Sequence, residues 1–183
     1  MICSPSHVAV LVPSILKAAD HFRQIGFEIG EEEVFPETRE IYVQGNERNA
    51  LLLMEARDTG SYRRALQKRG PGLHHLAIDV LDLNGFLGSI SRSGWLLHLN
   101  SLKSMEDSRT AYLARPGFPA LIEVQEKAKL MDGPLFVDGV SLKFDPVFTR
   151  LVKSVGLDQT VKPAPRSPSL SIRGKHIELE TLY

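Results

Sequence analysis

The sequence predicts an α+β chain in which two βαβββ units lie side by side. Their curved mixed sheets surround a central cavity, and a C-terminal extension follows. Three observations carry this. Residues 7–29 match residues 75–97 without a gap at a constant offset of 68. The last strands of the two units match at an offset of 71. Each unit also shows the same order of signals: a β-branched run, a helix start, an apolar stripe at helical spacing, a glycine stop and an aromatic residue.

In the repeat, His7 falls on His75, Ala9 on Ala77, Val12 on Val80, Gly26 on Gly94 and Phe27 on Trp95. Pro13-Ser14 and Asp82 supply helix starts. Ile15, Ala18, Ala19 and Phe22 form one stripe, and Leu83, Phe86, Leu87 and Ile90 the other. Gly26 and Gly94 stand where a helix C-cap belongs. Three strands are expected after each helix, near residues 27–34, 40–43 and 50–55, then near 95–100, 110–115 and 120–126. The units should span residues 1–58 and 73–127, joined over 59–72 by a short basic helix that ends at Gly70-Pro71-Gly72. The extension spans residues 128–183. There Asp145-Pro146 starts a helix running to Val155, residues 161–169 read as a Pro/Ser-rich linker, and residues 171–180 as a strand or hairpin covering a sheet edge.

Composition narrows the function classes. Lys+Arg and Asp+Glu both number 22, which argues against a nucleic-acid partner. No apolar run reaches the ~20 residues of a membrane span, and the first residues do not read as a secretory signal. The single cysteine, Cys3, has no internal disulfide partner, so a reduced, cytoplasmic protein is expected.

His7 and His75 begin equivalent strands, so a twofold arrangement of the units would bring their imidazoles together. Glu123 lies on a last strand, on the face shared with Leu121 and Gln125. Two imidazoles and one carboxylate suit one divalent ion, Zn²⁺, Co²⁺, Ni²⁺, Mn²⁺ or Fe²⁺, with positions left open for substrate oxygens. Structural histidines and a solvent-facing Glu123 are the alternatives. His74 should point to the opposite face from His75. Arg63, Arg64, Lys68 and Arg69 can face a phosphate or simply be solvated.

The run Gly70-Pro71-Gly72-Leu73-His74-His75-Leu76-Ala77-Ile78-Asp79-Val80 closely resembles a segment of methylmalonyl-CoA epimerases, members of the vicinal oxygen chelate superfamily. Ala65 to Arg69 resembles the helix end before it, His7-Val8-Ala9-Val10 the first strand, and Ala120 to Val124 the last. The resemblance covers about residues 5–127 and implies a glyoxalase-like fold with four metal ligands. Three carry over, His7, His75 and Glu123. The fourth position holds Leu52, which cannot ligate, so weaker metal binding, or none, is one implication. Glu37 in Phe35-Pro36-Glu37-Thr38 resembles the family's catalytic base, and Glu123 is expected to serve at the catalytic centre as a ligand. The implied function is a metal-dependent isomerase or lyase of the glyoxalase and methylmalonyl-CoA epimerase type. It would act through the enolate of a small oxygen-bearing substrate, such as a thioester, in a homodimer. The His–His–Glu set also resembles Fe²⁺ extradiol dioxygenases, and Leu52 is compatible with a non-catalytic, drug-sequestering binding module.

Overall fold

The computed structural model describes residues 3–99, 101–164 and 167–183. The first unit comprises β1 (Cys3–Val12), α1 (Ile15–Gln24), β2 (Ile29–Val34), β3 (Thr38–Val43) and β4 (Ala50–Ala56). Helix α2 (Ser61–Arg69) follows. The second unit comprises β5 (Gly72–Val80), α3 (Leu83–Ile90), β6 (Leu96–Leu97), α4 (Ser101–Ser108), β7 (Thr110–Ala114) and β8 (Leu121–Glu126). These eight strands form one sheet in the order β2-β3-β4-β1-β5-β8-β7-β6, so both halves repeat one strand order about a central β1–β5 pair.

That pair is antiparallel, with His7 opposite Ala77 and Ala9 opposite His75. Exchanging each residue for its repeat equivalent swaps the two pairings, so a pseudo-twofold axis passes between them. Strand β4 lies parallel to β1 with Leu52 beside Ala9, and β8 parallel to β5 with Glu123 beside Ala77. Leu52 and Glu123 therefore occupy equivalent places. Both helices start alike: the Ser14 and Asp82 side chains accept from the backbone N–H groups of Lys17 and Gly85. Glu55 and Glu126 accept from the first helical N–H of their own units, Ile15 at 2.7 Å and Leu83 at 2.8 Å. Capping each helix from the end of its own last strand fixes helix to sheet.

Alternation along the strands divides the sheet into two faces. Val8, Val10, Leu51, Leu53, Leu76, Ile78, Ile122 and Val124 face α1 and α3 in the main core. On the concave face Ala9, Leu11, Leu52, Met54 and Ala56 form a second apolar cluster under Tyr62, Ala65 and Leu66 of α2. Helix α2 thus roofs the first unit's half of that face.

The extension forms β9 (Val137–Leu142), a 3-10 turn (Pro146–Phe148), α5 (Thr149–Ser154), β10 (Val161–Pro163), β11 (Ser169–Ile172) and β12 (Lys175–Glu178). Its strands make a separate sheet, β10-β9-β11-β12. It packs on the convex face beside α1 and α3 rather than along a sheet edge, because Phe136, Val140, Leu151 and Leu170 join the main core. Buried Asn49 clamps the start of β9, accepting from Phe136 N at 2.6 Å and Val137 N at 3.1 Å and donating to Val137 O at 3.0 Å. Asp145 starts its helical segment and Gly156 ends it at φ +71°. The expected linker contains β10, and its residues 165 and 166 lie outside the described ones. The hairpin turns at Arg173 and Gly174, both at positive φ.

The second unit departs from expectation at its edge. Strand β6 has only two residues, and α4 intervenes before β7. Asn100, the last residue of the expected strand, lies outside the described residues. Ser101, fully buried, pins α4 to the sheet by donating to Tyr112 O and accepting from Tyr112 N. Among the described residues no helix is long and apolar enough to cross a membrane.

Candidate metal centre

The pseudo-twofold axis brings His7 and His75 together on the concave face, their Nε2 atoms 3.0 Å apart. Glu123 Oε2 lies 3.4 Å from His7 Nε2 and 3.0 Å from His75 Nε2. All three side chains are buried, and among the described residues they are the group that can hold a metal ion. A triangle with edges of 3.0, 3.0 and 3.4 Å fits three ligands each ~2.1 Å from one ion.

The chemistry of the donors fits as well. Burial alone would raise the Glu123 carboxyl pKa, but hydrogen bonds to His7 and His75 outweigh it and hold the group far below the usual carboxylate range. Burial pushes the His75 pKa down, against the pull of Glu123, which favours the neutral ring a metal ligand needs. His75 Nδ1 lies 2.9 Å from His74 Nδ1. Burial lowers the His74 pKa to about 3, so its ring also is neutral and can accept the Nδ1 proton of His75. With an ion in place of the Glu123–imidazole hydrogen bonds, that contact would hold the proton on Nδ1 and free Nε2 of His75 to ligate, the usual support for a ligating imidazole. Strict alternation would turn His74 away as a packed or supporting residue; a register irregularity in β5 at this point instead brings it against His75, in the supporting role.

The three side chains open into a cavity of about 350 Å³ also lined by Glu40, Tyr42, Leu52, Met54, Tyr62, Tyr112 and Gln125. Tyr112 OH donates to Glu123 Oε1 at 3.1 Å and Gln125 Nε2 to the same atom at 3.0 Å. Thr38 Oγ1 donates to Glu40 Oε1 at 2.7 Å. Burial raises the phenol pKa values of Tyr42 and Tyr62 to about 12 and that of Tyr112 further, so all three are protonated donors. A second cavity of about 580 Å³ shares Tyr62 and Tyr112 with the first and is lined by His74, Arg64, Lys68 and Arg69.

Glu37 is not among the residues that line the histidine cavity. Its Oε2 accepts from Ser61 N at 2.8 Å and Ser61 Oγ at 2.6 Å, capping α2. Those bonds lower its pKa, as suits a carboxylate at a helix N-terminus. Strand phase decides between the carboxylates: Glu40 shares a face with Tyr42, and Glu37 has the opposite parity. The repeat at constant offset does not single out Glu40, Tyr42 or Tyr112. In register, Tyr42 faces Leu52 and Tyr112 faces Glu123, so the tyrosines are repeat equivalents.

Leu52 lines the cavity and is 3% exposed. Leu52→Gln places an amide oxygen at the equivalent of Glu123. Zinc affinity in a competition titration should rise roughly tenfold, about 1.4 kcal/mol. The metal-free variant should lose ~1–3 kcal/mol of stability through burial of the amide. Unchanged affinity in a folded variant would show that this position does not face the ion.

No protein-family model matches the sequence, and no curated protein matches it. Solved structures do. A hypothetical protein from Bacillus halodurans C-125 aligns over 73% of this chain and 100% of its own, with TM-score 0.60 and 19% identity. Methylmalonyl-CoA epimerase from Mycobacterium tuberculosis aligns over 68% of this chain and 88% of its own, with TM-score 0.56 and 23% identity. A variant of the Streptomyces coelicolor methylmalonyl-CoA epimerase, in complex with 2-nitronate-propionyl-CoA, aligns over 66% and 96%, with TM-score 0.53 and 19% identity. The chain shares the glyoxalase-like fold of these structures.

Proposed function

We propose that the chain is a divalent-metal-dependent isomerase or lyase that works through an enolate, with an acyl thioester of coenzyme A as its substrate class. The observation that carries this is one cavity holding the His7–His75–Glu123 group and a separate carboxylate, Glu40. When bound by His7, His75 and Glu123, a divalent ion supplies Lewis-acid polarisation of a substrate carbonyl. The base role passes from Glu37 to Glu40. Thr38 holds Oε1 of Glu40, which leaves Oε2 to accept a proton from the carbon beside the carbonyl. Tyr62 keeps its proton and can donate to a substrate oxygen as charge develops, while the Tyr112 hydroxyl is committed to Glu123. Leu52 and Met54 give the cavity an apolar part of its lining. Arg64, Lys68 and Arg69, around the adjoining cavity, give an anionic substrate tail its counter-charges.

Leu52 favours a second reading. With no fourth ligand, the His–His–Glu set resembles the facial triad of Fe²⁺ oxygenases. One experiment separates the two. Protein purified without chelators is assayed for metal, then incubated with methylmalonyl-CoA in deuterated water. The enolate reading expects bound divalent metal and metal-dependent deuterium at the carbon beside the thioester. Oxygen consumption with a catechol, and no deuterium uptake, would transfer the assignment to the oxygenase. Absence of both metal and turnover would leave a binding module.

A further inference from the structure

The two oxygens of Glu123 have different neighbours. Oε2 points at both imidazole Nε2 atoms, at 3.4 and 3.0 Å. Oε1 is turned away and accepts two hydrogen bonds, from Tyr112 OH at 3.1 Å and Gln125 Nε2 at 3.0 Å. Two donors fill the in-plane capacity of one carboxylate oxygen. The donors come from different elements, Tyr112 from β7 and Gln125 from β8 itself. Tyr112 stands opposite Glu123 in register, and Gln125 follows two residues later on the same face. Rotation of the carboxylate to offer both oxygens to an ion would break both bonds inside a buried site, where unmade bonds are costly.

We infer that Tyr112 and Gln125 are positioning residues that hold Glu123 as a one-oxygen ligand and so keep adjacent coordination positions free for two substrate oxygens. This rests on the metal reading proposed above. It gives the missing fourth ligand a consequence: with Leu52 apolar, the denticity of Glu123 controls how many positions stay open. A chelating Glu123 would take up one of them and recreate a crowded ion without any change at Leu52.

The test uses cobalt(II)-loaded protein, because cobalt absorbs visible light strongly at low coordination number and weakly when octahedral. Wild type is compared with Tyr112→Phe, Gln125→Met and the double variant, each also titrated with acetohydroxamate, a bidentate oxygen chelator. Circular dichroism and cobalt stoichiometry are measured alongside. The expected result is full cobalt occupancy in all four proteins and visible intensity falling stepwise from wild type through the single variants to the double. Acetohydroxamate should shift the wild-type spectrum and bind the double variant ~10–100-fold more weakly. An unchanged spectrum and unchanged hydroxamate binding in the occupied variants would overturn the inference. So would loss of cobalt from the folded single variants, since the pair would then hold Glu123 in place rather than limit its denticity. If the double variant does not fold, the single variants decide by the same criteria. Wild-type protein that takes up no cobalt defeats the metal reading itself, a separate outcome from a silent spectrum.

Discussion

His75→Ala should lower zinc or cobalt affinity by more than ~100-fold, as read by competition with a chromophoric chelator. Loss of a residue that only orients a ligand already costs 10–100-fold in known sites, and removal of a ligand itself exceeds that. His75 contributes more than one donor: its Nε2 lies within 3.0 Å of both His7 Nε2 and Glu123 Oε2, and its Nδ1 meets His74. The substitution leaves Glu123 with one imidazole partner in a buried place, so the metal-free protein should also lose thermal stability. Affinity within a few-fold of wild type would show that the histidines form a structural hydrogen-bonded pair.

Glu40→Gln is expected to reduce deuterium exchange into an acyl-CoA substrate by ~10²–10⁴-fold, the usual contribution of a positioned general base. Metal affinity should not change, because Glu40 is not one of the converging donors. Glu37→Gln is the control. It should cost about 1 kcal/mol of stability by weakening the α2 cap and leave exchange near wild type. The reverse pattern, exchange lost in the Glu37 variant and kept in the Glu40 variant, would return the base role to Glu37.

The contrast between these carboxylates shows where a sequence stops being legible. His7, His75 and Glu123 could be paired because the first and last strands of the two units hold constant offsets. The third strands do not share those offsets: connections of different length bring Tyr42 into equivalence with Tyr112 at an offset of 70. Glu40 was obscured for another reason. Which carboxylate of Glu37 and Glu40 faces inward depends on strand phase, and one residue of error exchanges the faces. Helix α4 has a single buried residue, Ser101, so there was no apolar stripe to read. The extension's helix and hairpin carried local turn signals, but its docking on the convex face depends on the Asn49 clamp and Phe136, contacts between segments far apart in the chain.

That docking bears on the order in which the chain can reach its final state. The first unit is bound to the extension at its far end as well: Arg173 pairs with Glu47 across 126 residues, and Lys175 donates to Ile25 O across 150. During synthesis the N-terminal unit leaves the ribosome long before the segment that covers Phe27 and its neighbours has been made. Its convex apolar surface stays wet, or in the care of a chaperone, until the last strands arrive. The contacts that close the core span most of the sequence, so their loop-closure entropy is lost only when the extension docks. Closure of this core therefore waits until residues 136–178 have been made, well after both histidines and the glutamate.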